Sequence, residues 1–236
     1  MGADEPEDLD AKARRVDPER WLASRFIADP TQRADVTAIY ALDHELARAP
    51  QVVREPLMAE IRLTWWREAV EGLFSGAGAR GHPVLTALRQ AIDRRRLALD
   101  PLLAMVEARF ADIETEPFAD PASVQAYADG VSGAPMTLAL AALGCGDAVS
   151  LRPAALAWTL ARLARTAPQR LAQLSQSAGL GLAALNEARP AIAALPVACF
   201  PAVAHLCLAR AGLSGRSPGA LETRLRLTAA TITGRV

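Results

Sequence analysis

Proline follows an acidic or polar residue at the start of one apolar-periodic run after another. Four of these starts are Asp-Pro and three are related pairs: Asp17-Pro18, Asp29-Pro30, Asp100-Pro101, Asp120-Pro121, Glu55-Pro56, His82-Pro83 and Arg152-Pro153. Aspartate at an N-cap accepts a backbone hydrogen bond, and proline at the next position lacks only an N–H that no helix would satisfy. Sustained alternation with the period of two that strands require is absent. The sequence therefore predicts an all-α protein.

The apolar periodicity predicts ten helices and one folded domain. Of the 236 residues, 51% are hydrophobic, which suffices for a large core. The polar, charged segment 1–18 is expected to be disordered, and the helical domain is expected over 19–236. The predicted helices are 18–28, 30–49, 56–74, 83–98, 101–115, 121–143, 153–167, 170–188, 191–211 and 218–233, and Gln32 is expected to complete a capping box with Asp29.

Charge and cysteine content exclude several classes of protein. The 26 basic and 26 acidic residues balance, which argues against a basic nucleic-acid-binding surface. The three cysteines form no Cys-x-x-Cys pair, so neither a disulfide scaffold nor a zinc module is predicted, and a reducing cytoplasm fits best. The N-terminus does not resemble a signal peptide, and the most apolar stretch, 191–204, is broken by Pro196 and Pro201.

An ordered series of short motifs runs along most of the chain. Together they resemble the squalene/phytoene synthase family over about residues 20–236. The matching segments are Arg25-Phe26, Tyr40 to Pro50, Ile61 to Gly72, His82 to Val84, Arg109 to Ile113 with Asp112, Tyr127 to Gly133, Leu156 to Pro168 and Thr233 to Val236.

The resemblance implies an isoprenoid-synthase-like helical bundle around a central cavity. In that family, Asp-rich motifs on two facing helices hold Mg²⁺ against the diphosphates of prenyl substrates, because this hard cation prefers carboxylate oxygens. The acidic positions of the first motif fall here on Ala47, Arg48 and Gln51, and the second motif places Thr166 after the matching Arg165. The segment after residue 168 is also shorter than the family pattern. Both magnesium-binding motifs are therefore expected to be lost, and no catalytic residue, metal ligand or cofactor is predicted.

Polar groups near these positions remain candidates for an anion site at the cavity. Asp43 and Glu45 are two residues apart and diverge around their helix, so they are not expected to replace a facing carboxylate pair. The candidates for cavity or anion binding are Tyr40, Arg48, Arg62 and Arg165.

Two functions from different classes stay open. The pattern of a retained fold without the Asp motifs resembles the branch that includes a mitochondrial assembly factor for respiratory complex I. That branch implies a non-catalytic assembly or scaffold factor, with a respiratory-chain subunit or assembly intermediate as partner and an isoprenoid or phospholipid as ligand. The alternative is a head-to-head prenyl transferase with an atypical site, which would need Mg²⁺. A third function, a degenerate subunit that supports an active paralogue, cannot be distinguished from the assembly factor by one sequence.

The expected location is the cytoplasm, with peripheral contact at the inner face of the membrane. The segment 191–204 is too short and kinked to span a bilayer, but it could insert partway. Packing of the same segment in the core is the competing interpretation.

Overall fold

The computed structural model describes residues 8–53, 55–76, 78, 81–145 and 151–236. The described residues form helices and contain no strand, which confirms the all-α prediction. The α-helices are α1 (Leu9–Val16), α2 (Pro18–Ser24), α3 (Pro30–Arg48), α4 (Pro56–Ser75), α5 (Pro83–Arg95), α6 (Leu99–Ala108), α7 (Pro121–Ala128), α8 (Ala134–Ala142), α9 (Arg152–Thr166), α10 (Ser177–Ala193), α11 (Ala209–Leu213) and α12 (Ala220–Thr233).

The Asp-Pro starts behave as helix caps at three of their four positions. The side chains of Asp17, Asp29 and Asp120 accept backbone hydrogen bonds from the first turns of α2, α3 and α7. The predicted capping box at Asp29 does not form, since its carboxylate bonds the N–H of Thr31. A capping box forms instead at Asp120, whose partner at N3 is Ser123.

Two predicted helices are interrupted in ways that the apolar pattern hides. The run 121–143 is broken by a π-helical segment, Asp129–Gly133, between α7 and α8. The run 191–211 is not one helix but two 3₁₀ segments, Val197–Ala202 and Ala204–Leu208, followed by α11. Pro196 and Pro201 explain the second difference, because proline supplies no N–H to an α-helical ladder.

The N-terminal expectation is wrong for the part of the tail that the structure describes. Leu9–Val16 forms α1, although residues 1–18 were expected to be disordered; residues 1–7 lie outside the described range. Tertiary contacts hold this short helix: Lys12 pairs with Glu45 of α3, and Asp10 accepts hydrogen bonds from Trp21 and Arg25. Polar composition conceals such contacts because every partner lies outside the segment.

The core is organised around two helices, α3 and α9, each with its own set of packing partners. Helix α3 packs against α1, α5 and α8, whereas α9 packs against α10, α11 and the π-helical segment. One apolar face of α4 is buried, with Leu63, Trp66, Val70 and Leu73 at 5% exposure or less.

The structure also joins Cys145 and Cys199 in a disulfide, leaving Cys207 free. The pair is 54 residues apart in sequence, so no local spacing signals it. The chain packing at the end of α8 brings the two cysteines together, and the cysteine count alone did not predict this.

Candidate functional site

A cavity of about 220 Å³ separates α3 from α9. Ala47 and Gln51 line it from the end of α3 and the following turn, and Arg162 and Thr166 line it from α9. The family resemblance implies two motif helices that face each other across a cavity, and the structure has this arrangement. Side chains from residues 109–115, from α7 with the π-helical segment, and from residues 168–171 also line the cavity, so five parts of the chain meet there. Its remaining lining residues are Arg109, Asp112, Thr115, Tyr127, Val131, Ser132, Thr159, Leu163, Ala167 and Arg170.

A buried carboxylate, Asp43, holds two arginines beside the cavity. Arg20 Nη2 donates to Asp43 Oδ2 at 2.6 Å, and Arg109 Nη2 donates to Oδ1 at 2.8 Å. Asp43 is only 2% exposed. Burial would raise the pKa of this carboxyl, but the guanidinium groups of Arg20 and Arg109 outweigh burial and hold the pKa well below its usual range. The Asp43 carboxylate therefore holds Arg20 and Arg109 in place, and each of its two oxygens already accepts a hydrogen bond.

The carboxylate that lines the cavity itself, Asp112, is neutralised in the same manner. Arg170 Nη1 donates to Asp112 Oδ1 at 2.7 Å, and Arg109 Nη1 donates to Oδ2 at 3.0 Å. The hydroxyl of Tyr127 also donates to Oδ1, at 2.7 Å. Burial is the main cause that raises the pKa of Tyr127 to about 12, so its hydroxyl remains a donor at neutral pH.

Arg162 differs from the other cavity arginines. Its guanidinium makes no hydrogen bond or ion pair with any side chain in the described parts of the chain, whereas Arg109 and Arg170 each have a carboxylate. Burial first, and then the positive charge of Arg20, lower the pKa of Arg162. The charges of Asp17 and Asp43 oppose this shift, but neither carboxylate forms an ion pair with Arg162. A part-buried guanidinium without a direct partner favours an anion in the cavity.

The donor set around the cavity does not fit Mg²⁺. This cation needs several oxygen ligands, commonly carboxylates and phosphates. The facing positions carry Ala47, Gln51 and Thr166, and the one carboxylate in the lining, Asp112, already accepts from two arginines and a tyrosine. Nowhere in the described ranges do three or more His, Cys, Asp or Glu side chains form a group that could hold a metal ion.

The four side chains predicted to reach the cavity lie elsewhere. Arg48 and Arg62 are exposed, and among the described residues Arg48 has one ion pair, a 3.7 Å contact with Glu45. Arg165 forms a bidentate pair with Glu19 of α2, at 2.8 and 3.2 Å. Tyr40 is buried against the guanidinium of Arg20. Motif proximity along the chain does not determine which face of a helix a side chain occupies.

Sequence reasoning missed the arginines that do line the cavity. Arg109 stands three residues before Asp112, a spacing that allows an ion pair within one turn. The matching segment around Asp112 was therefore the local signal that could have identified Arg109. Arg162 and Arg170 flank the second motif position, Thr166, but nothing in their local sequence distinguishes them from surface arginines.

His205 is buried, and it has no hydrogen-bond partner in the described structure. Both ring nitrogens are unpaired, and the ring packs edge-on against Trp158, with centroids 4.7 Å apart. Burial lowers the pKa of His205 to about 3, which keeps it neutral. The histidine therefore behaves as an apolar core residue.

A larger cleft of about 920 Å³ lies on the other side of Arg170 and Tyr127. Phe110, Ile113 and Phe118 supply its apolar walls. Its edge is acidic, because four exposed glutamates surround it: Glu60, Glu107, Glu114 and Glu116. Arg170 and Tyr127 line both spaces and so form the wall between an arginine-lined cavity and an acidic cleft.

Solved structures of two synthases share this fold. Squalene synthase HpnC from Alicyclobacillus acidocaldarius is 16% identical, with a TM-score of 0.67 over 98% of this chain and 97% of that chain. A dehydrosqualene synthase in complex with ligand is 13% identical, with a TM-score of 0.72 over 95% of this chain and 94% of that one. At these identities the likeness establishes the isoprenoid synthase fold.

The curated relatives are named as assembly factors, not as synthases. The NADH dehydrogenase (ubiquinone) complex I assembly factor 6 proteins of Rattus norvegicus and Homo sapiens are 28% and 25% identical over 134 residues. That region is 57% of this chain and 40% of each relative, so the match covers less than half of their length.

A model of the family described as squalene/phytoene synthase matches residues 13–180. This range includes α3, α9 and every residue that lines the cavity. The chain therefore belongs to the squalene/phytoene synthase family.

Proposed function

We propose that this protein is a non-catalytic member of its family that acts by binding, as an assembly or scaffold factor. The observation that carries the proposal is the donor set of the cavity: Ala47, Gln51 and Thr166 stand where the family resemblance implies magnesium ligands. Ionisation of a prenyl diphosphate leaves negative charge on the departing group, and metal ions normally stabilise it. Arg162 supplies one uncommitted positive charge, which is a poor substitute for a metal cluster.

The size of the cavity supports the same proposal. Sites for drug-sized ligands are commonly ~300–1,000 Å³, whereas this cavity is about 220 Å³. Head-to-head coupling requires two prenyl chains at once. The adjoining cleft is large enough for an apolar chain, but the hydrogen-bonded side chains of Arg170 and Tyr127 separate it from Arg162, and its glutamate edge repels diphosphate.

The curated relatives suggest the class of partner. They are named complex I assembly factors, and the chain shares with them 134 aligned residues. We propose that the protein works at the membrane surface, on a respiratory-chain subunit or an assembly intermediate. No described helix is both long and apolar enough to cross a membrane, so the proposed association is peripheral.

Dependence of ligand binding on Mg²⁺ tests the absence of catalysis. Thermal unfolding is measured with farnesyl or geranylgeranyl diphosphate, with added Mg²⁺ or with chelator, and the mixtures are analysed for products. We expect no product and no strengthening of binding by Mg²⁺. Arg162→Gln should weaken any diphosphate stabilisation, whereas Arg62→Gln, which changes an exposed arginine outside the cavity, should not.

Two outcomes would contradict the proposal. Binding that strengthens with Mg²⁺, or a C30 or C40 head-to-head product above the control without protein, would restore the prenyl transferase. Stabilisation by an isoprenoid alcohol or a phospholipid, independent of Mg²⁺, would support a lipid as ligand of the non-catalytic protein.

The partner is tested separately. Affinity purification from the native membrane fraction, read by mass spectrometry, should enrich complex I subunits over other respiratory-chain proteins. Equal recovery of complex I subunits and of unrelated membrane proteins would contradict this choice of partner.

A further inference from the structure

Helix α12 has an apolar face on each side. Its inner face packs against α2 and the segment Ala204–Leu208, with Leu227 and Ala230 buried at 0% and 4% exposure. Its outer face carries Leu221, Leu225 and Ile232, which are 71%, 63% and 79% exposed. A surface helix normally directs polar residues outward. The outward apolar stripe is therefore not explained by packing within the chain.

The three exposed side chains form one continuous line. Their spacing of four and seven residues places them on the same side of the helix. From residue 221 to residue 232 the stripe extends for roughly 16 Å. Thr228 lies on the same line, so no charged residue interrupts the stripe.

The surroundings of the stripe are basic. Residues 209–236 contain five arginines and a single acid, Glu222; because the whole chain has no net charge, the rest of the chain carries an excess of four acids. Glu222 accepts from Arg216 and Arg226. The other three arginines have no acidic partner among the described residues: Arg210, Arg224 and Arg235.

We propose that α12 is the surface by which this protein lies on an anionic lipid bilayer. The stripe inserts Leu221, Leu225 and Ile232 below the headgroups, and the arginines contact the lipid phosphates. A helix in the bilayer interface has this combination of an apolar stripe and basic flanks, and it does not need to span the membrane. The inference rests on the proposed peripheral location and identifies the element responsible for it.

The exposed apolar side chains of α4 show why the α12 stripe fits an anionic lipid: they lie among glutamates instead of arginines. Leu57 and Ile61 are also exposed, at 64% and 51%, but glutamates accompany them, including Glu60 in the same shallow groove. Anionic lipid would repel that surface. A second copy of the chain is a poor occupant of the α12 stripe, because a two-fold contact would bring the arginine flanks of both copies together.

Vesicle flotation of the full chain tests the proposal. Vesicles of phosphatidylcholine and phosphatidylglycerol, in a ratio of about two to one, are compared with phosphatidylcholine alone at low and high salt. We expect flotation with the anionic vesicles only, and its loss at high salt. The double variant Leu225→Gln/Ile232→Gln should lower the partition coefficient about tenfold, as should Arg224→Glu.

The matched control is Leu57→Gln/Ile61→Gln, which makes the same change on exposed side chains of α4 and should leave flotation unchanged. Circular dichroism and light scattering check the fold and the oligomeric state of each variant. Failure of the wild type to float with anionic vesicles, equal flotation of the α12 variants, or equal loss in the α4 control would overturn the proposal. A wild-type dimer that the α12 variant converts to monomer without change in flotation would assign the stripe to a second copy instead. These readouts need no prenyl diphosphate or Mg²⁺, so they fail independently of the non-catalytic proposal.

Discussion

The cavity and the cleft share a wall, but their acidic side chains are in different environments: paired and nearly buried beside the cavity, and exposed at the edge of the cleft. On the cavity side, Asp43 and Asp112 are nearly buried and each contacts two arginines. On the cleft side, the glutamates stand at an exposed edge, and Glu107 pairs with Arg67 in solvent. Charges that lose their hydration require compensation, whereas hydrated charges do not. The comparison indicates that ion pairs determine the structure of the cavity and contribute little to that of the cleft.

Asp43→Ala should have the largest effect, because it leaves Arg20 and Arg109 buried without their shared carboxylate. We expect a loss of about 3–5 kcal/mol in the free energy of unfolding, measured by urea denaturation. The control is Asp93→Ala, which removes an exposed carboxylate paired with Arg89 on α5 and should cost about 0.5 kcal/mol or less. Equal losses in the two variants would contradict the contrast between buried and exposed pairs.

Acid should weaken the cavity pairs only at low pH. The pKa of Asp43 is depressed in the folded state, so its stabilising contribution is complete above the unfolded value of 3.8 and declines as pH falls below it. The stability difference between wild type and Asp43→Asn should therefore be constant from pH 7 to about 5. It should then shrink by about 1.4 kcal/mol per pH unit below about pH 4. A difference that already changes between pH 7 and 5 would show that another group titrates with the pair.

Gly130→Ala should disturb the cleft by overpacking. A Cβ at residue 130 would lie 2.3 Å from Ala108 Cβ and 2.6 Å from the Ala104 carbonyl oxygen, so the π-helical segment would have to move away from α6. We expect a loss of about 1–3 kcal/mol in thermal or urea unfolding. Gly133→Ala is the control, because its Cβ would meet Ala155 at an ordinary 3.4 Å. A cost for Gly133→Ala as large as that for Gly130→Ala would argue against a close contact specific to residue 130.

The ion pair at the cleft edge should give the smallest effect. Arg67 and Glu107 form two hydrogen bonds, at 2.5 and 2.9 Å, but both side chains are at least one-third exposed. A double-mutant cycle of Arg67→Ala and Glu107→Ala should return a coupling energy of about 0.2–1 kcal/mol that falls with added salt. A coupling energy above about 2 kcal/mol would remove the distinction between the two sides of the wall.

The helices were predictable to the extent that local signals define them. Asp17, Asp29 and Asp120 cap helices as expected, since a cap depends on atoms within one turn. The 3₁₀ segments near Pro196 and Pro201 and the ordered helix Leu9–Val16 were not predicted. The 3₁₀ segments follow from the prolines themselves, which supply no N–H to an α-helical ladder, whereas the helix Leu9–Val16 depends on contacts with α3 and with Trp21 and Arg25.

The sequence by itself determined the helical class and the family, because helix caps, periodicity and ordered motifs are local features of the chain. Only the tertiary structure decided which charges meet. It buried Asp43 between Arg20 and Arg109, turned Arg48 and Arg62 to solvent, and left Arg162 in the cavity without a carboxylate. The physical reason is that the paired groups are far apart in sequence: Asp43 is 23 residues from Arg20 and 66 residues from Arg109. Their energies depend on distance and hydration in space, which no local pattern records.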